Sequence, residues 1–302
     1  MSIADSPTRV PSRFNELTFR ATQAFVYPLQ DWQRRLTQRS HQQIINQKEI
    51  RAVGMRRTGN HALLNWIAKQ QPGEVFHLNN VNPGQNPYRQ KSTRLMRYHP
   101  EHAKMAAVYR RQAKGEFIKR DCLIYSYEDW GLAGITQPSF ERNRSLYLGK
   151  SAQQFEVLIL RDPFNLFASR IKQNFQATKR KKVSMVALWL EYAREFVGET
   201  HYLPGVICLN YNRWFADVDY RRALAAQLGL VFSDAGLSEV LSLGAGSSFD
   251  GTRLNGQARA MDVTNRWRVF ADDPDFRRIF QNDEIWHYSE QIFGHLPGTE
   301  VL

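Results

Sequence analysis

Cysteine is nearly missing from this sequence: Cys122 and Cys208 are the two in 302 residues. Each lies inside a short apolar run, which predicts two buried thiols and excludes a disulfide framework or a cysteine-rich metal site. Long apolar runs are missing as well. No stretch approaches the roughly 18 residues that span a bilayer, and the opening MSIADSPTRVPSR lacks the apolar core of a secretory signal. The expectation is a cytoplasmic protein with no transmembrane segment. Internal repeats and low-complexity tracts are also lacking, which excludes solenoids and propellers. Acidic residues are outnumbered, 29 Asp and Glu against 41 Lys and Arg, for a net charge of +12. Such a balance attracts anions, whether nucleic acid, a membrane surface, an acidic polymer or a multiply phosphorylated small molecule.

What is present is enough apolar residue, 42% of the chain, for one large domain with a small appendage. Residues 1–47 read as an N-terminal helical segment. From Phe14 to about Ile45 it is basic, interrupted at Pro28, and its apolar positions Leu17, Phe25, Leu29, Trp32 and Leu36 predict packing on the main domain, with peripheral membrane contact as the other use. Residues 48–302 alternate strands with helices. EIRAVGM, EVFHLNN, DCLIYSYED, FEVLILR and GVICLNY read as strands; HALLNWIAKQ, NLFASRIKQNF, VSMVALWLEYAREFV and DYRRALAAQLGL read as helices. The alternation predicts an α/β domain, a P-loop-like parallel sheet flanked by helices, with a basic insertion over 82–120. In such sheets a ligand lies at the carboxyl ends of the strands.

The segment Gly54-Met-Arg-Arg-Thr-Gly-Asn-His61 joins the first strand to the first helix of that domain. Two glycines bracketing four residues in this context form a loop whose N–H groups and helix N-terminus cradle an anion. A magnesium-dependent nucleotide loop closes on Lys followed by Ser or Thr; this one closes on Asn60 and His61, with Arg56 and Arg57 inside it. The pattern suits a loop that supplies permanent positive charge without a metal ligand. A second anion-binding pattern follows the strand FEVLIL: Arg161 at its end and Ser169 eight residues later, in the next helix. Fork and hydroxyl converge on one anion there, so the two patterns together predict a ligand with phosphates at both ends.

Arg57, Thr58, Gly59, Asn60 and His61 resemble the 5′-phosphosulfate loop of the sulfotransferases, and R-D-P-F-N-L-F-A-S is similar to their 3′-phosphate motif. The resemblance covers roughly residues 48 to 255. It implies 3′-phosphoadenosine 5′-phosphosulfate (PAPS) as sulfuryl donor, no metal, and donor contacts from Arg56, Arg57, Thr58, Gly59, Asn60, His61, Arg161 and Ser169. Tyr211 looks like the family's tyrosine near the donor. This sequence departs from the family in having Arg57 where the loop lysine stands and Asn60 and His61 where two threonines stand. The family's C-terminal arginine and glycine segment has no clean copy; the candidate is Gly244 to Gly251 with Arg253, where amides of Gly246, Ser247 and Ser248 form an anion nest.

Arg57 is then an electrostatic clamp on the leaving phosphate, since a guanidinium does not give up a proton near neutral pH. The base is His77 or Glu128, each at a strand end beyond the loop. The acceptor expected is a hydroxyl or amine of a carbohydrate or small metabolite, an anionic one included, held by the basic insertion and its interleaved tyrosines; the oligomeric state is open. Two other readings compete. A kinase with a degenerate loop needs a Lys and a magnesium carboxylate that are not placed, and a nucleic-acid-binding protein lacks any module signature.

Overall fold

Five parallel strands form one sheet in the order β2-β3-β1-β4-β5, with β1 Ile44–Gly54, β2 Val75–Leu78, β3 Arg120–Glu128, β4 Lys150–Leu160 and β5 Ile207–Asn210. The computed structural model describes residues 25–37, 43–178, 183–241 and 246–302. The whole N-terminal segment before Phe25, residues 38–42, the Lys- and Arg-rich run 179–182 and residues 242–245, Gly244 among them, fall outside the described residues. The α/β class and parallel sheet are as the strand and helix alternation predicts.

Helices cover both faces. On one side α2 Asn60–Lys69 buries Leu63, Leu64, Trp66 and Ile67 against Ile50, Ile124 and Val157 of the sheet. On the other side lie α5 Pro138–Leu148, α6 Pro163–Lys172 and α7 Met185–Phe196. The strands that alternate between these two cores are apolar on both faces, which is why they read as near-continuous hydrophobic runs. After β5 come α8 Tyr211–Ala216 and α9 Val218–Gln227. Cys122 is buried and Cys208 half-buried, both as free thiols, and burial pushes them up to about 12 and about 11.

β1 starts at Ile44, ahead of the boundary read at residue 48. The polar residues at its start, Asn46 and Lys48, are buried with partners. Asn46 donates to Ser151 and the Leu148 carbonyl, and the Lys48 ammonium donates to the Leu228 and Gly229 carbonyls at 2.7 and 2.9 Å, where it caps the end of α9. Among the described residues the N-terminal segment contributes one helix, α1 Tyr27–Thr37, which contains Pro28 in its first turn. The expectation that its apolar positions pack on the domain is overturned for four of them: Phe25, Leu29, Trp32 and Leu36 are exposed and the charged side faces the body, while Leu17 lies outside the described residues. The basic insertion folds as a helical hairpin, α3 Pro87–Tyr98 and α4 Ala103–Ala113, started by Asn86, whose side chain accepts from the Tyr88 and Arg89 amides.

Beneath the α5 face, charges form a largely buried network with Glu141 at its more exposed edge. Arg51 pairs with Glu156 and Glu141; Arg144 pairs with Glu49 at 2.6 Å and Glu156 at 3.0 Å. Removing one member strands its partners in a low-dielectric setting. Arg51→Met is expected to lower unfolding stability by about 3–5 kcal/mol, measured by urea denaturation; a loss below about 1 kcal/mol, the scale of an exposed pair, would mean the network contributes little.

Candidate functional site

The loop after β1 lies at the switch point of the sheet, where the chain leaves β1 between neighbours that run off in opposite directions. Gly54 pairs in register with Glu128 on β3 and with Ile159 on β4, so the ends of three central strands sit at one level. A tight turn follows, with the Thr58 amide donating to the Met55 carbonyl at 3.2 Å. Arg57 adopts φ 74°, a left-handed conformation that costs a residue with a Cβ about 1–2 kcal/mol. Gly59, at φ 99°, is required twice over: a Cβ there would lie 2.0 Å from the Tyr211 ring. Asn60, at the usual lysine position, stitches the loop instead. Its amide donates to the Met55 carbonyl at 3.1 Å and to Glu128 at 3.2 Å.

The two loop arginines diverge. Arg56 is held by Asp129, donates to the Ala177 carbonyl at 3.1 Å and stacks over Phe175 at 4.5 Å. Asp129 is fully buried and also accepts from Arg170 at 2.7 and 3.3 Å. Burial opposes its ionisation, but the Arg170 and Arg56 guanidiniums outweigh that and hold its carboxyl below the usual range. Arg56 is thereby an anchor of the loop. Arg57 points the other way, donating to the Ser248 hydroxyl at 2.6 Å and the Gly246 carbonyl at 3.0 Å.

The second pattern assembles because of its local sequence. Asp162 caps α6, accepting from the Asn165 amide at 2.8 Å, and Pro163 opens its first turn. Arg161, ahead of the cap, is buried at the end of β4. It donates to the Arg57 carbonyl at 3.3 Å and to the Val263 carbonyl, and its guanidinium lies 5.1 Å over the Tyr211 ring. Ser169, one face along α6, is buried and accepts from Arg266 at 3.4 Å.

Arg266 is the residue that the sequence reading missed. It opens the 3-10 turn Arg266–Phe270, and its backbone amide is fixed by the Asn165 side chain at 2.8 Å. Its guanidinium donates to the Ser247 hydroxyl at 2.8 Å and reaches Asp250 at 3.7 Å. Arg253, the expected C-terminal arginine, is corrected by this finding. It is 77% exposed and meets only Asp250 among the contacts the structure gives it. The expected amide nest is corrected too: the Ser247 amide is taken by the Gly251 carbonyl, and the segment Gly246 to Ser248 faces the arginines with a carbonyl and two hydroxyls.

Half-buried Arg57 and buried Arg161 and Arg266 therefore form one cluster of positive charge. Arg57 and Arg266 are each brought down to about 10, mainly by burial and then by repulsion from Arg161. At neutral pH both remain cationic, and the mutual repulsion is what an anion would relieve. Unpartnered polar atoms gather at the same place: Thr58 Oγ1, Asn60 Oδ1, His61 Nδ1, Arg161 Nε and Arg266 Nε are buried without a hydrogen-bond partner. Each leaves a desolvation cost that only a ligand or water offsets. Thr58 Oγ1, Arg161 Nε and Arg266 Nε can donate to a multiply charged anion, as can His61 Nδ1 in the tautomer that carries its proton there, whereas Asn60 Oδ1 only accepts.

The candidate bases separate by depth. Glu128 is buried at the level of Gly54, with His61 Nε2 3.7 Å from its carboxylate. Burial keeps the His61 ring below its usual pKa, with Glu128 opposing and Arg57 reinforcing the shift. His77 pairs in register with Ile124, four residues short of Glu128 along β3, roughly 13 Å at 3.3 Å per residue. Burial, then the charges of His61 and Lys91, push it down to about 3, and its Nε2 has no partner. It is neutral at physiological pH and too weakly basic to compete for a proton.

No protein-family model matches the chain, and no curated protein does. Among solved structures, it is similar to the sulfotransferase domain of the Synechococcus PCC 7002 olefin synthase, at 12% identity and TM-score 0.46 over 84% of this chain and 98% of that one. It is similar to mouse sulfotransferase SULT7A1 complexed with PAP, at 12% identity and TM-score 0.43 over 84% and 87%. A third is the sulfotransferase domain from the curacin biosynthetic pathway, at 13% identity and TM-score 0.41 over 82% and 98%. The residues of the site carry the functional reading.

Proposed function

We propose that the protein is a PAPS-dependent sulfotransferase that moves a sulfuryl group to a hydroxyl or amine of a carbohydrate or small-metabolite acceptor. The observation that carries this reading is the cluster of half-buried Arg57 with buried Arg161 and Arg266 at a glycine loop that ends in Asn60 and His61 rather than a magnesium-binding hydroxyl. In this reading Arg161, Ser169 and Arg266 hold the 3′-phosphate, and Arg57 with the loop amides holds the 5′-phosphosulfate. Thr58 supplies a hydroxyl to the donor, and Tyr211 braces Gly59 and Arg161.

Sulfuryl transfer proceeds in line through a loose transition state, so the protein's work is positioning, stabilising charge on the bridging oxygen, and taking the acceptor proton. Arg57 supplies the charge. Glu128, level with the loop and flanked by His61, takes the proton from the attacking hydroxyl or amine. The test is release of adenosine 3′,5′-bisphosphate from PAPS in the presence of a panel of sugar, phenol and amine acceptors. Acceptor-dependent release supports the reading; transfer of phosphoryl from ATP to the same panel would replace it with a kinase.

Arg266→Ala is expected to weaken binding of adenosine 3′,5′-bisphosphate by roughly 10- to 100-fold, the loss of a charge-assisted hydrogen bond of about 1.5–3 kcal/mol. Arg253→Ala is the matched control and should leave affinity unchanged in isothermal titration. Equal losses for the two would move the 3′-phosphate site elsewhere.

A further inference from the structure

Helix α1 is docked inside out. Arg34 donates to the Ala113 and Leu146 carbonyls at 2.8 and 2.7 Å, and Asp31 accepts from Arg89 at 2.7 and 3.1 Å and from the Tyr147 hydroxyl at 3.1 Å. These contacts fix the charged side of the helix to the ends of α4 and α5. The opposite side, with Phe25 just ahead of the helix, carries Leu29, Trp32 and Leu36 at helical spacing, exposed by 76%, 65%, 59% and 67% in that order. A surface helix of a globular domain normally turns such a stripe to the core. A contiguous exposed apolar patch of this kind marks an interaction site.

The exposed charges at the end of the sheet where α1 docks identify what covers the stripe. Arg35 is bonded to Asn143 of α5, with exposed Arg142 beside it. Exposed Lys150 pairs in register with Ile44, itself 41% exposed, and exposed Lys114 adjoins the Ala113 that Arg34 grips. Exposed Lys119 stands next to Ile118, which is 58% exposed. Glu116 is the acidic residue in this stretch, and it pairs with Arg111. With a net charge of +12, a second copy of the chain is repelled and an anionic surface attracted. An exposed stripe of apolar and aromatic side chains at an end of the molecule whose exposed charges are mostly cations suits a helix that lies in a lipid interface.

We propose that α1 seats the protein on an anionic lipid surface, with Phe25, Leu29, Trp32 and Leu36 at the acyl boundary and the exposed cations of the same end of the sheet on headgroups. Ala113 and Leu146 lead toward the amino ends of β3 and β4, whereas the arginine cluster lies at the carboxyl ends. Seated this way, the candidate site faces the aqueous side, where a water-borne acceptor reaches it. The proposal stands independently of which group the site transfers.

The test is co-sedimentation of the full chain with vesicles of phosphatidylcholine alone and of phosphatidylcholine and phosphatidylserine in equal parts. The full chain should bind the anionic vesicles and lose that binding as salt rises. A Leu29→Ser, Trp32→Ser variant keeps every charge, so it should bind at least roughly tenfold more weakly, since each large apolar side chain withdrawn from water is worth about a factor of ten. Unchanged thermal denaturation confirms that this variant folds. Equal binding by both proteins would show that net charge alone acts, and no binding to anionic vesicles would reject the surface. A dimer of the native chain that the variant dissociates would assign the stripe to self-association and overturn the proposal.

Discussion

Glu128→Gln is expected to lower kcat by roughly 10²- to 10⁴-fold, the range that a positioned general base contributes, while leaving donor affinity within a factor of about three. Glutamine keeps the acceptor for the Asn60 amide at 3.2 Å, so the loop retains its shape and only proton uptake is lost. The matched substitution is His77→Gln. A ring held down to about 3 takes no proton at neutral pH, so its loss should cost less than about tenfold. Single-turnover kinetics with PAPS separate the two. A large loss with His77→Gln and a small one with Glu128→Gln would reverse the assignment.

Arg57→Ala is expected to lower kcat by about 10²- to 10³-fold, the usual cost of removing one donor aimed at developing charge. Here the guanidinium also ties the loop to Ser248 and Gly246, so donor affinity should fall as well, by a smaller factor. Arg57→Lys separates charge from geometry. It keeps a cation but loses the fork that reaches two partners at once, and it should recover part of the turnover without the affinity. An alanine variant that retains full turnover would remove Arg57 from the chemistry and leave it as a loop anchor.

The glycine loop and the Arg161 to Ser169 interval are local patterns, legible because a strand, a tight turn and a helix start each leave a mark within ten residues. The switch-point placement follows from the strand and helix alternation. Arg266 left no such mark. It sits in a 3-10 turn about a hundred residues beyond Ser169, in a stretch of turns with no period, and only the fold brings it to that hydroxyl. Arg253 looked right because it follows a glycine-rich turn, yet its side chain leaves that turn toward solvent. Strand register is likewise a tertiary fact: nothing in EVFHLNN says that His77 aligns with Ile124 rather than with Glu128. For α1 the spacing of apolar residues was read correctly as helical. The side that docks was not legible, because Arg34 and Asp31 find carbonyl and arginine partners that lie far away in sequence.

Asp129 shows how an anchor hides beside a catalytic candidate. It follows Glu128 directly, takes a left-handed φ of 60°, and turns its carboxylate away from the loop's centre onto Arg56 and Arg170. One residue of chain thus separates a group that faces the candidate site from a group that holds the scaffold.

The central claim is that Arg57, Arg161 and Arg266 form a cradle for a ligand phosphorylated at both ends, and isothermal titration with adenosine 3′,5′-bisphosphate addresses it most directly. ADP and ATP with magnesium serve as comparisons. The account predicts that the bisphosphate binds at least roughly tenfold more tightly than either, a difference of about 1.4 kcal/mol, without any need for magnesium. It also predicts that Arg161→Ala and Arg266→Ala each abolish that preference. Tighter binding of ATP with magnesium, or a preference that survives both substitutions, would contradict it.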